Sequence, residues 1–456
     1  MLTIKRVYLI KQLVATSVSG FLSLCGGLAF GFSAVLLPQL KADENYPYDE
    51  NYVSWIAAMT PLSMVLGCLC AGSIIDRIGR KMGHIILAFF FVISWTVQAF
   101  ASNNPVMLLG RFLTGLCSGA IRPITLVYLG EIADPKYRGL MLFSPSLTLS
   151  LGVVINHALG GFVFWRTNAL ICNAPSIISI VLLLVLKESP LWLIAKGKID
   201  EGVKVFKWFR GDTDEAEKEL NLILEKQNEK KVELTVMDYF KIDFMKPLLI
   251  TFFLSVSMQF SGANIITFYA QDILGQIIPN DYDPFILMIV ADCIRFIAAS
   301  SIFFFGTRIP RKIAFFVSNF GACTLLYCLL LFLYLNPPNM RWVSLVLLIA
   351  YMTFSSAIVT LSWSFVAELY PSKLRGVGSG ASSAVSYFLL FISVKITPGI
   401  ASTLGVLALF CIFATITVLN GVILIFLLPE THGRSLQDIE DGYKKSTVSN
   451  VEVSKL

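Results

Sequence analysis

Charge is what this sequence has least of. Its 36 basic and 30 acidic residues make up only 14% of 456 positions, where a soluble chain carries about 25%. A water-facing globular enzyme is therefore all but excluded. Histidine is nearly absent, and His84, His157 and His432 cannot supply a metal cluster. The nine cysteines all sit in apolar runs without CxxC or metal-ligand spacing, so neither a metal site nor a disulfide framework can be argued. No GxxxxGK[ST] loop for ATP occurs, no N-x-[ST] acceptor, and no nucleophile–base constellation or cofactor loop. The net charge of +6 comes from basic residues scattered among apolar segments, not from a block that would hold nucleic acid.

What is there is apolar. Hydrophobic residues make up 56% of the chain, and the mean hydropathy is +0.73. A bilayer core of ~30 Å takes ~20 apolar residues per helix, so this composition fills about a dozen spans. The pattern predicts twelve helices, at roughly 14–37, 54–75, 83–102, 105–129, 141–164, 169–187, 247–271, 286–306, 313–335, 342–366, 377–398 and 404–428. Lys5, Arg6 and Lys11 run into the first apolar stretch without a small-residue cleavage site, which reads as an uncleaved first span. The gap after the sixth span is charged and carries helical apolar spacing, as in EGVKVFKWFRG and EAEKELNLILEKQ. The expected organisation is a six-helix lobe over 1–187, a cytosolic helical linker over 188–245, a second lobe over 246–430 and a tail over 431–456. With both termini in the cytosol, inward segments hold 29 of the 36 basic residues and outward loops only Lys41, Arg166 and Arg341.

The two lobes echo one another. Asp76-Arg77-Ile78-Gly79-Arg80-Lys81 returns as Thr307-Arg308-Ile309-Pro310-Arg311-Lys312. Glu131 to Arg138-Gly139 returns as Glu368 to Arg375-Gly376, and Glu188-Ser189-Pro190 returns around Pro429-Glu430-Thr431. Three echoes in one order argue duplication of a six-helix unit, the organisation of an alternating-access transporter with its site at the midplane. The repeated charges fall at cytosolic helix ends, where scattered charge alone would mark topology. Their repetition points to an ion-pair lattice of Asp76, Arg80, Glu131, Arg138, Glu188, Arg311, Glu368, Arg375 and Glu430 closing that side. Glu131 and Arg138, seven residues apart, would lie about 10 Å apart along an ideal helix and pair with neighbouring helices. Exposed pairs are worth of order 0–1 kcal/mol each, which suits a gate that must open.

These motifs, with Gly110-Arg111, Trp192-Leu193, Gln259-x-Ser261-Gly262-x-Asn264 and Trp363, resemble the sugar porter family of the major facilitator superfamily. The likeness runs from the first helix to the tail. Pro145 and Ser393-Val394-Lys395 are similar to the insect branch that includes facilitated trehalose transporters. The resemblance implies an all-α membrane protein with twelve transmembrane helices in two lobes. It also implies no cofactor, a small-molecule substrate (a sugar by family) and a plasma-membrane address. Gln259 and Asn264 are the implied sugar contacts, since an amide offers a donor and an acceptor to a diol without adding charge. Ser146 and Trp363 stand at two further sugar positions.

The sequence also departs from the family. Met258 replaces the first glutamine of the helix-seven motif, Ser146 a glutamine, Arg295 an asparagine and Leu390 another. Helix ten lacks the usual glycines and prolines before Trp363, which predicts a straighter helix. Arg122, Asp292 and Arg295 fall inside predicted spans, where a centred charge costs ~2.5–3.5 kcal/mol on insertion scales and must be paired or face a cavity. Asp292, three residues before Arg295, is its expected partner. Arg122, with or without Arg295, would serve an anionic substrate instead. Proton-coupled members carry an aspartate in helix one where this chain has Ser33, which favours a uniporter, while Asp292 keeps a proton-coupled alternative open.

Overall fold

The structure, a computed structural model, describes residues 2–228, 241–277, 283–305, 309–335, 341–370 and 374–430. The expected tail over 431–456 lies outside these residues. The chain divides into two compact units, one comprising Met1–Tyr52 and Met59–Glu233, the other Val53–Ala58 and Leu234–Leu456.

In the first unit, α1 (Leu2–Ala42), α2 (Glu50–Ile78), α3 (Arg80–Ala99), α4 (Asn104–Ile132) and α5 (Arg138–Gly160) are followed by α6 (Trp165–Ile171) and α7 (Ala174–Val185). Three short helices, α8 (Pro190–Ala195), α9 (Ile199–Arg210) and α10 (Asp214–Asn228), complete it. The second unit holds α11 (Ile242–Phe260), α12 (Ala263–Phe268), α13 (Ala270–Ile277), α14 (Pro284–Phe305), α15 (Arg311–Leu335), α16 (Arg341–Glu368), α17 (Arg375–Leu404) and α18 (Val406–Leu427).

Eleven of the described segments are long and apolar enough to cross a membrane. The sixth span, expected as one helix over 169–187, runs from Trp165 to Val185 with an interruption at Cys172 and Asn173, where Pro175 opens the following helix. The seventh, expected as one helix over 247–271, is broken twice. Gly262, at φ +87°, ends α11 and caps α12, a backbone conformation that side chains strongly disfavour.

Helix ends follow their side chains. Asp49 accepts from Asn51 N–H at 2.9 Å at the start of α2, and Asn103 from Val106 N–H at 3.0 Å at the start of α4. A single residue, Gly79 at φ +99°, separates α2 from α3.

Within a bilayer the apolar effect does not drive helices together, so close packing must. In the first unit glycine supplies it. A Cβ on Gly27 would stand 1.9 Å from Leu149 O, where α1 meets α5. One on Gly119 would stand 2.2 Å from Met64 O, where α4 meets α2. Gly119→Ala should therefore lower the yield of monodisperse protein about tenfold, through overpacking against backbone. Gly399→Ala, with nothing within 4 Å of the added carbon, should leave it unchanged. Size-exclusion profiles of the two variants check this.

Candidate functional site

The repeated charges assemble in each unit along the same lines. In the first, Arg80 donates to both carboxylate oxygens of Glu131 at 2.9–3.2 Å and lies 3.1 Å from Asp76, which is exposed. Arg80 and Glu131 are mostly buried, and a forked guanidinium–carboxylate pair of that kind is the stronger sort. Glu188 accepts from the backbone N–H groups of Arg80 and Lys81 at 2.8 and 2.9 Å, capping the N-terminus of α3 with negative charge. Ser189 donates to Glu131. In the second unit Arg311 pairs with Glu368, and Glu430 accepts from Lys312 N–H at 3.2 Å at the start of α15. Even the lysines repeat: Lys81 Nζ reaches Leu186 O, and Lys312 Nζ reaches Ile425 O.

Arg138 departs from the expected lattice. Glu131 lies near the end of α4 and Arg138 opens α5, so the seven-residue interval crosses a turn and is not two turns of one helix. The turn closes on Asp134 O, which accepts from Tyr137 and Arg138 N–H. Arg138 then turns to the linker, donating to Glu219 on α10 and to Ala133 O. Arg210 of α9, nearly buried, pairs with the same Glu219 and donates to Ala133 O at 2.6 Å. Gln12 of α1 joins in, donating to Phe209 O and accepting from Asp134 N–H. The linker helices are thus fastened to α1 and to the α4–α5 turn, and sequence reasoning missed Arg210 and Glu219 because they pair with each other across the α9–α10 turn and with Ala133 and Arg138 far away in the chain. The side chain of Arg375 lies outside the described residues.

The sugar-motif residues of the second unit come together at the broken span. Asn264 Nδ2 donates to Gln259 Oε1 at 2.8 Å, and Gln259 Nε2 donates to Ser386 Oγ on α17 at 3.0 Å. All three are buried. Trp363 of α16 packs against Tyr387, the next residue on α17, with ring centroids 6.1 Å apart. Ser386 and Tyr387 carried no signal in the sequence; only the packing of α17 against α11 and α16 reveals them. Ser146 belongs to the first unit, half-buried on α5. Met258 and Leu390 are buried in the apolar interior.

The charges inside spans are accounted for differently. Arg295 lies 3.9 Å from Asp292, the expected pair, and also donates to Ala263 O at 3.3 Å. Arg122 is half-buried on α4. Arg111, fully buried, donates to the Ser33 hydroxyl and to Ala29 O, with its guanidinium 6.0 Å from the Phe32 ring. In the sequence Arg111 stands out only as a motif member and Ser33 only as a substitution; the fold makes them one contact.

A family model described as "Sugar (and other) transporter" matches residues 15–443. The chain belongs to this transporter family. It is accordingly a transporter and not an enzyme, and it shares the family's multi-pass membrane architecture. The facilitated trehalose transporter Tret1 of Apis mellifera ligustica is 28% identical over 94% of this chain and 87% of its own length. Tret1 of Polypedilum vanderplanki is 28% identical over 96% and 89%. Among solved structures, the inward-open xylose transporter XylE from E. coli matches with a TM-score of 0.79 at 18% identity, over 94% of this chain and 99% of that one. The XylE proton:xylose symporter bound to 6-bromo-6-deoxy-D-glucose matches at 0.76 and 18%. These neighbours establish the major facilitator fold.

Within that fold the linker clamp carries a clear energetic expectation. Removing the carboxylate of Glu219 leaves the mostly buried Arg210 short of its main partner, a loss of order 2 kcal/mol for a hydrogen bond to a charged group. Glu219→Ala should lower the unfolding midpoint in detergent by several degrees. Disrupting the exposed Lys207–Asp212 pair by Asp212→Ala should move it by less than about one degree.

Proposed function

We propose that this member of the sugar transporter family is a facilitative uniporter that passes a sugar, trehalose or a hexose, down its gradient by alternating access. The observation that carries the uniport reading is the contact between Arg111 and Ser33. A serine hydroxyl has no proton to exchange near neutral pH, so the partner that a proton-coupled porter would titrate at this place is neutral here. The curated relatives named as facilitated trehalose transporters support the substrate class.

In this reading Gln259 and Asn264 are the primary sugar contacts, offering amide groups already aligned by their mutual hydrogen bond. Ser146 contributes a hydroxyl, and Trp363 packs against an apolar sugar face. The charge clusters at Arg80–Glu131–Glu188 and Arg311–Glu368–Glu430 form the cytosolic gate, with Asp76 beside the first and Arg375 assigned to it from the sequence repeat alone. Arg138 braces the linker helices. Both termini face the cytosol, on the basic-residue bias, and the membrane is the plasma membrane.

A porter of small organic anions through Arg122 and Arg295 is the second reading. The Asp292 carboxylate beside Arg295 weakens it, because it already neutralises that guanidinium.

Labelled uptake in voltage-clamped oocytes, over trehalose, glucose, fructose and organic anions at two external pH values, separates these readings. The expected result is saturable sugar uptake without current or pH dependence, with half-saturation raised about tenfold by Asn264→Ala or Gln259→Ala. Ser33→Asp should make uptake depend on pH. Anion uptake carrying current, with sugars inert, would overturn the proposal.

A further inference from the structure

The break between α11 and α12 lies in the apolar segment expected as the seventh span, where a backbone carbonyl freed by the break must find a donor within the protein. Three side chains from two other helices donate to carbonyls beside it, one freed at the end of α11 and one in the first turn of α12. Tyr351 OH and Ser355 Oγ, one turn apart on α16, both donate to Ser261 O. Arg295, on α14, donates to Ala263 O at 3.3 Å, an oxygen that also accepts from Thr267 Oγ1. Asp292 stands 3.9 Å from the guanidinium and is buried. The Tyr351 hydroxyl lies so close to Gly262 that a Cβ there would be 2.3 Å from it. Ala263 immediately precedes Asn264, whose amide meets Gln259 across the break. The position of one carbonyl therefore sets the register of the amide pair.

We propose that Arg295 is a positioning residue for the candidate sugar site. Its guanidinium, held by Asp292, clamps the first carbonyl of α12 and so fixes Asn264 against Gln259. Where the family places an asparagine that offers a polar contact to sugar, this chain acts on its substrate through the backbone of the broken helix. The effect on sugar affinity rests on the sugar-transport reading; the clamp on the break does not.

Two measurements on the full-length protein test this. The first is amide hydrogen exchange of residues 261–269, which reads the break without any substrate. Arg295→Met should raise exchange there about tenfold while residues 248–255 of α11 stay unchanged. Arg295→Lys, which can still donate to Ala263 O and pair with Asp292, should restore protection to within about threefold. The second is uptake kinetics with trehalose and glucose. Arg295→Met should raise half-saturation about tenfold with the maximal rate within about twofold of the parent, and Arg295→Lys should recover it. Combining Arg295→Met with Tyr351→Phe should give less than the product of the two single effects, because both side chains hold one break.

Unchanged exchange in Arg295→Met overturns the proposal, whatever transport does. Raised half-saturation without raised exchange would also overturn it, since Arg295 would then touch substrate directly. A lysine variant as impaired as the methionine variant in both assays would do the same. If the parent protein takes up no sugar, the sugar reading fails by itself, and exchange alone still decides the clamp.

Discussion

A backbone carbonyl freed inside a bilayer finds no water, and the apolar segment expected as the seventh span breaks its helix at Ser261 and Gly262. That constraint organises much of the second unit. Gly262 supplies the left-handed turn that ends α11, and the carbonyls around it are taken up by Tyr351, Ser355 and Arg295. Those three donors need a firm support, and α16, which supplies two of them, runs unbroken from Arg341 to Glu368. The missing glycines and prolines before Trp363 and the props on the break are thus parts of one arrangement. A bend in α16 at Tyr351–Ser355 would withdraw the donors from Ser261.

Duplication supplies a second organising rule. In both units a carboxylate that follows the sixth span of its repeat caps the N-terminus of the helix after the Arg-Lys motif: Glu188 on α3 and Glu430 on α15. In both, the arginine of that motif pairs with a glutamate at the end of the fourth span of its repeat. A capping carboxylate gains from the helix dipole as well as from its hydrogen bonds, while its bonds remain of the modest kind that can be made and broken. The linker clamp is a feature of the first unit. Arg138 and Arg210 converge on Glu219, and Gln12 ties α1 to the same turn.

Much of this was legible in the sequence, and the limits have physical causes. Apolar runs of membrane length give away the spans because hydrocarbon permits nothing else, and the apolar spacing of the linker gives away α9 and α10. The Asp292–Arg295 pair was readable because i and i+3 share one helix face. Arg138 was misplaced because a turn hidden between Glu131 and Arg138 changes the direction in which the arginine points. The break at Gly262 was missed because one glycine in an apolar run says nothing about φ; tertiary donors decide whether the helix continues. Ser386, Tyr351 and Glu219 were invisible for a related reason. A hydroxyl or a carboxylate on a helix acquires a role only from what stands opposite, and chain order does not record that. Arg111 and Ser33 are 78 residues apart, and only the fold brings a buried cation to a neutral partner.

Sugar carried by a neutral amide pair at a propped helix break, without a coupled ion, is the core of the proposed mechanism. Entrance counterflow in proteoliposomes tests it most directly. Vesicles preloaded with unlabelled trehalose or glucose would receive labelled sugar outside, with neither pH gradient nor membrane potential. The expected result is a transient overshoot of internal label, and, in vesicles without preloaded sugar, uptake that stops at the external concentration even when an inward proton gradient is imposed. Absence of an overshoot with either sugar, or accumulation above the external concentration under the imposed proton gradient, would contradict it.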